Sequence, residues 1–381
     1  MSMINPPIAS LQDMFGGKMR PSVAVSTLMN SDQLFPTAKV ARGDNAKPLA
    51  VSGTPFPAIS FESHDRICDL NDYLTINRVA GLLVLKNGAV ALENYEYGLN
   101  PDQHWASCSV AKSIASTLIG VAVKEGAIGS VDDPVTQYVP ELVGSAYEGV
   151  SVRHVLMMAS GVEWDETYID PTSHRRRLLE ATLSGGKGSI VGYMKTLKRA
   201  CAPGIKSVYN TGESYIMGAI LENATGMSGA QYLSEKLWSK LGMEQAAGWW
   251  LEAPGGMILA GSGICASLRD YGRFGQFVVD DGVVDGERLV PEGWFKEAGA
   301  PLLPAVQGYD YGYMWWVPDQ NVPEHEGAFI AFGIYGQAIY VNPKKQLVIV
   351  TLCARSKPSS LNRVELDDDA FYAAVGRALD D

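Results

Sequence analysis

The chain has 381 residues, 46% of them hydrophobic and 19% charged, a composition with room for a large core or two packed domains. Its net charge of −11 argues against nucleic acid and anionic membrane as main partners, and Arg175-Arg176-Arg177 is the only basic cluster. No uninterrupted apolar run of about 18 residues is present, so no membrane span is expected.

Met1 to Arg20 lacks a basic segment followed by an apolar run and a small-residue cleavage site, and no signal peptide is read there. The five cysteines (Cys68, Cys108, Cys201, Cys265, Cys353) are widely spread and form no Cys-x-x-Cys pair. That spacing gives no metal or redox motif, and scattered thiols fit a reducing cytoplasm.

In chain order, residues 1 to about 60 are rich in Pro, Ser, Ala and Gly and read as an irregular surface arm. Phe61 to Arg78 reads as a short helix. Val79 to Leu85 and Ala89 to Tyr95 flank Asn87-Gly88, a strong hairpin signal. A helix is predicted from about Ser109 to Glu125, stopped by Gly126. Ser151 to Met158 is a capped helix start, and Glu163 to Gly188 reads as a long loop. Helices follow at Tyr215 to Ala224, Ala230 to Leu241 and Ser267 to Val279. Tyr311 to Val317, Gln337 to Asn342 and Leu347 to Leu352 are strand-like, and Asp367 to Leu379 closes as a helix. Strand-rich ends around a helical middle predict a discontinuous α/β domain (1–115 and 235–381) with an inserted helical domain (116–234). The seam between them is the expected place for a cleft.

Ser109 and Lys112 are three apart, so on a helix they share a face with roughly 5–6 Å between Cβ atoms. Serine becomes a nucleophile only when a base takes its proton. A lysine serves if burial or positive neighbours lower its pKa. Taken alone, Ser-x-x-Lys is more often a helix cap and a solvated lysine. Cys108 is a weak rival nucleophile, with no histidine near it in sequence.

The five histidines, His64, His104, His154, His174 and His325, form no His-Glu-x-x-His motif. His154 reads as a structural helix residue, His325 as exposed, and His104 alone as worth testing beside Ser109. No Gly-x-Ser-x-Gly elbow and no phosphate loop occur, and the glycines at 255–256 and 261–263 read as turns. A Ser/Lys pair needs a further group to carry the proton onward. Tyr209, in a turn before a helix, is a candidate, although a lone tyrosine there is more often a packed aromatic. No metal or cofactor is called for.

Together these stretches resemble the serine β-lactamase and penicillin-binding-protein family, in its class C and esterase branch. The resemblance rests on Ser109-x-x-Lys112, Arg153 to Gly161, Pro203-Gly204 with Tyr209-Asn210-Thr211, Thr225 to Met243, Ser267 to Gly275, and Tyr311 to Trp316 with the last strand pair. It covers about residues 60 to 375. Pro134 to Leu142 and Trp164 to Pro171 look closest to the 6-aminohexanoate-dimer (nylon-oligomer) hydrolases and related carboxylesterases. The resemblance implies an antiparallel sheet flanked by helices. It implies Ser109 as nucleophile, Lys112 as base and Tyr209 as relay, with the N–H groups of Ser109 and Ile334 as the oxyanion hole. It places Thr211, Phe332 and Gly333 against the substrate and Tyr168 where the nylon hydrolases keep a lid tyrosine.

Two departures matter. Ala331-Phe332-Gly333 stands where β-lactamases carry Lys-Thr-Gly, and Thr211 replaces an asparagine. Both argue against β-lactam substrates and for an uncharged or weakly polar acyl group. The expected activity is hydrolysis of small carboxylic esters, with linear amides, acyl transfer to a small acceptor and weak β-lactamase activity as alternatives. A silent binding homologue is the reading outside catalysis. The oligomeric state is not legible.

Overall fold

A computed structural model describes residues 7–303, 310–358 and 364–380. The first six residues of the expected arm lie outside the described residues. An eight-stranded sheet forms the larger of the two main sheets. Its order is Asp310–Tyr311, Trp316–Val317, Phe329–Phe332, Ala338–Asn342, Leu347–Cys353, Val79–Lys86, Ala89–Tyr95 and Ala50–Val51. Every neighbouring pair is antiparallel except the last, where Ala50–Val51 runs parallel to Ala89–Tyr95.

The central strands Val79–Lys86 and Leu347–Cys353 are buried almost throughout. They read as continuous apolar runs because both faces of the sheet are covered. Leu83, Leu85, Val348 and Val350 point into one core with the helix Leu268–Val279. Leu82, Val84, Leu347 and Ile349 point into a second core with Tyr73, Phe371 and Val375, from the helices Leu70–Ile76 and Asp368–Ala378. The sheet is joined at Asn87-Gly88, where φ of 52° and 76° gives the left-handed turn that matches strand twist. Gly272 and Gly275 let the covering helix approach closely. A Cβ there would sit 2.4 Å from Leu83 Cδ2 and 2.5 Å from Val348 Cγ1.

A second, four-stranded sheet has the order Thr37–Val40, Ala247–Trp250, Ile264–Ala266, Trp105–Ala106. Its strands are two to four residues long, too short for a periodic signal, and the sequence reading assigned none of them. Trp105–Ala106 leads directly into the turn before Ser109.

The hairpin at 79–95 and the helices at 110–125, 268–279 and 368–378 stand within a residue or two of the predicted bounds. Other expectations are corrected. The arm carries the helices Leu11–Phe15 and Pro21–Met29; Ser10 caps the first, and Pro21 stands in the first turn of the second, where its missing N–H costs nothing. Phe61 to Arg78 is a hairpin, Phe61–Ser63 with Arg66–Cys68, before a helix that starts only at Leu70 behind an Asp69/Asp72 capping box. The loop at 163–188 contains the helix His174–Gly185, capped by Ser173. Tyr311 to Val317 is not one strand, because Met314, at φ 62°, breaks it into two short pieces. Ala230 to Leu241 is the helix Gly229–Leu233 running into a π turn at Ser234–Trp238.

Among the described residues no helix is long and apolar enough to cross a membrane. Nor, among them, is any group of three or more His, Cys, Asp or Glu placed to hold a metal ion.

Candidate active site

The helix Val110–Glu125 is buried from Val110 to Ala122. It packs against Thr211–Thr225 on one side and the large sheet on the other. Ser109 is its N-cap residue, reached through a strained turn in which Cys108 has φ 45°. Ser107 fixes that turn. Its N–H donates to Ile264 O at 2.7 Å, and its hydroxyl accepts the Ile264 N–H at 3.1 Å.

Lys112 lies one turn on and is 1% exposed. Its Nζ donates to Ser109 Oγ at 2.9 Å, to Gly261 O at 2.9 Å and to Thr211 Oγ1 at 3.3 Å. Burial drives its pKa down to about 7; Glu166 pushes it back up, Arg175 lowers it and Cys108 raises it. A substantial share of Lys112 is therefore a neutral amine at neutral pH, held against a serine hydroxyl.

Tyr209 is also buried, its ring 5.0 Å from Lys112 Nζ. It stacks on Trp316 at 5.1 Å and meets Tyr311 edge-on at 6.1 Å. Val208 and Asn210 anchor it on either side through their N–H groups, to Met158 O at 2.8 Å and Met158 Sδ at 3.2 Å. Burial and the charge of Glu166 push its phenol well above the usual range, while a hydrogen bond with Ser109 pulls the other way. It stays a protonated donor at neutral pH.

Ile334 lines the same pocket as Ser109. The turn holding it is pinned on both sides by Gln337, whose carbonyl accepts the Gly333 N–H at 2.7 Å and whose side chain accepts the Tyr335 N–H at 3.1 Å. The N–H groups of Ser109 and Ile334 donate to no other described residue.

Tyr168 is 5% exposed, lines the pocket and donates to Glu166 Oε1 at 2.9 Å. Thr211 lines it too, with its hydroxyl committed to Glu166 Oε1 at 2.5 Å and to Lys112. Phe332 and Gly333 stand beside the pocket rather than in its wall. Gly333 packs on the turn before Ser109, where a Cβ would sit 2.8 Å from Ser107 O.

Several pocket residues escaped the sequence reading. Met14 and Phe15 come from the arm, and Trp250, Gly261 and Ser262 from the small sheet and its loops. Gly261 looked like a plain turn, yet its carbonyl is the third acceptor of Lys112. Glu166 and Arg175 belong to the segment read as loop. The only signal for Arg175 was the basic cluster.

Cys108 borders the pocket, but burial pushes its thiol up to about 12, so it offers no thiolate. His154 is structural as expected, its Nδ1 accepting the Ser151 N–H at 3.1 Å. His325 is corrected from exposed to buried, its Nδ1 3.2 Å from Tyr340 Oη. His104 does not line the pocket.

A sheet covered on both faces, and a serine–lysine pair at a helix start beside a buried tyrosine, define a β-lactamase-type fold. The chain belongs to the beta-lactamase family, whose profile matches residues 77–374. It is similar to the 6-aminohexanoate-dimer hydrolase of Paenarthrobacter ureafaciens, 30% identical over 364 residues that cover 91% of this chain and 89% of that one. Among solved structures it resembles a Bacillus anthracis protein with a proposed 6-aminohexanoate-dimer hydrolase assignment, at TM-score 0.79 and 22% identity over 94% of this chain and 93% of that one. It also resembles EstCE1, a hydrolase with promiscuous acyltransferase activity, at TM-score 0.65 and 15% identity over 81% of this chain and 96% of that one. At such identities the structures show the shared fold.

Proposed function

We propose that this protein is a serine hydrolase that cleaves small carboxylic esters through an acyl-enzyme. The observation that carries the reading is Lys112 Nζ, buried and 2.9 Å from Ser109 Oγ. Neutral Lys112 takes the Ser109 proton as Oγ attacks the carbonyl carbon. The N–H groups of Ser109 and Ile334 receive the oxyanion. Tyr209 passes a proton to the departing oxygen, and water then releases the acid from Ser109.

A second reading, hydrolysis of linear amides, is favoured by Tyr168 in the pocket wall and by the similarity to a 6-aminohexanoate-dimer hydrolase. A departing amine must be protonated, so that reaction depends more heavily on Tyr209 and Tyr168.

The test is a panel of short p-nitrophenyl esters, 6-aminohexanoate dimer and nitrocefin, with wild type and Ser109→Ala. Loss of the nucleophile is expected to lower kcat at least ~10³-fold, and Lys112→Ala and Tyr209→Phe at least ~10²-fold. Ester turnover that survives in Ser109→Ala sinks the proposal.

A further inference from the structure

Arg175 lines the same pocket as Ser109 and Lys112 and is 3% exposed. Its guanidinium lies 4.7 Å from the ring centre of Phe15 and 5.6 Å from that of Tyr168. A permanently charged group buried in this way is costly unless it is paired and hydrogen-bonded. The rings lie against it, and the Tyr168 hydroxyl also shares a hydrogen bond with it.

Glu166 is the nearby carboxylate, with its Oε1 3.8 Å from Arg175 Nε, beyond hydrogen-bonding distance. Its acceptor sites are already occupied. Oε1 accepts from the hydroxyls of Tyr168 at 2.9 Å and Thr211 at 2.5 Å. Oε2 accepts from the Thr211 N–H at 3.0 Å and the Trp164 indole at 2.6 Å. A carboxylate has about four lone-pair sites, so these donors fill it. Arg175 Nε is left buried without a hydrogen-bond partner among the described residues. A buried guanidinium with an open Nε suits a carboxylate better than any uncharged group.

We infer that Arg175 is a specificity residue that binds a carboxylate of the substrate, so that the ester or amide hydrolysed here carries a negative charge on its acyl half or its leaving half. The inference rests on the acyl-hydrolase reading of the site. It revises the expectation of an uncharged substrate, which followed from the missing lysine at 331–333. The cation comes instead from the helix His174–Gly185.

Two matched ester pairs test it. Mono-p-nitrophenyl adipate against its methyl ester places the charge on the acyl half. 4-Acetoxybenzoate against its methyl ester places it on the leaving half. After correction for alkaline hydrolysis, wild type is expected to prefer the charged member of at least one pair by roughly 10- to 100-fold in kcat/KM. Arg175→Gln should bring that ratio close to one, whatever it does to absolute rates, and Arg175→Lys should retain part of it. If the glutamine variant does not fold, a fall in the ratio that stops short of one in the lysine variant serves instead. Adipate itself should raise the melting temperature of wild type and not of Arg175→Gln, a readout independent of turnover. No charge preference in either pair overturns the inference and leaves the hydrolase reading standing. An unchanged ratio in the variant, or equal loss for both members, also overturns it. A carboxylate-dependent thermal shift without ester turnover removes the hydrolase reading alone.

Discussion

On the proposed mechanism, Lys112 sets the pH behaviour of the site. Its amine works as a base only when neutral, and burial has brought its pKa down to about 7. With Tyr209 held protonated, kcat/KM for a neutral ester should rise with pH and level off above about 7. The groups facing Lys112 are Ser109, Thr211, Tyr209, Glu166, Arg175 and Cys108, the last a thiol throughout this range. Two of them push in opposite directions. Glu166 favours the ammonium form, so Glu166→Gln should move the rising limb to lower pH. Arg175 disfavours it, so Arg175→Gln should move the limb to higher pH. Rate profiles from pH 5 to 9 on p-nitrophenyl acetate read both shifts. Movement in the same direction for the two variants is incompatible with Lys112 as the titrating base.

At the scale of elements, legibility in the sequence followed locality. Ser109 and Lys112 share one helix turn, so their meeting could be read from spacing alone, and the Asn87-Gly88 hairpin is just as local. Glu166 and Arg175 reach the pocket because a polar segment folds over the start of the helix Thr211–Thr225, and no periodicity announces that. The arm gave no pattern either, because Met14 and Phe15 sit on a helix of only five residues. Gly333 and Ile334 were placed by resemblance, with no sign in the sequence of the turn that Gln337 pins around them. Its packing shows why glycine stands at 333: a Cβ would meet Gln337 Oε1 at 2.7 Å, Ser107 O at 2.8 Å and Cys108 Cβ at 3.0 Å. Gly333→Ala must therefore displace either the glutamine that pins the Ile334 turn or the turn that presents Ser109. One oxyanion donor is worth roughly 10²–10³ in kcat, and a loss of that order is expected with the fold intact by circular dichroism. Gly53→Ala, where a Cβ meets nothing within 4 Å, is the control expected to leave kcat unchanged.

At the scale of the molecule, the two faces of the large sheet are covered by different elements. One core continues into the helix Val110–Glu125, while the other is closed by the helix Asp368–Ala378. The continuous apolar strands announced two-sided burial in the sequence. The buried charges on the far face did not show, because Arg355 and Asp368 are polar residues in polar stretches. Arg355 Nη2 lies 2.5 Å from Asp368 Oδ1, which also accepts the Tyr73 hydroxyl at 2.7 Å. Arg355 is 2% exposed and its Nε and Nη1 have no hydrogen-bond partner among the described residues, where the aspartate is its ion-pair partner. Asp368→Asn leaves that guanidinium buried without its counter-charge. A loss of about 3–5 kcal/mol in urea unfolding is expected, since removing one partner of a buried pair costs far more than the pair contributes. The double variant Asp368→Leu, Arg355→Met removes both charges and should recover most of that loss. Arg355 also packs on the turn that holds Ile334: a Cβ at Gly336 would sit 2.3 Å from its Nε, and its N–H donates to Tyr335 O at 3.3 Å. Fluorophosphonate labelling of Asp368→Asn is therefore expected to slow even at temperatures where the variant is folded. Labelling at the wild-type rate there means that the Ile334 turn keeps its position without the buried pair.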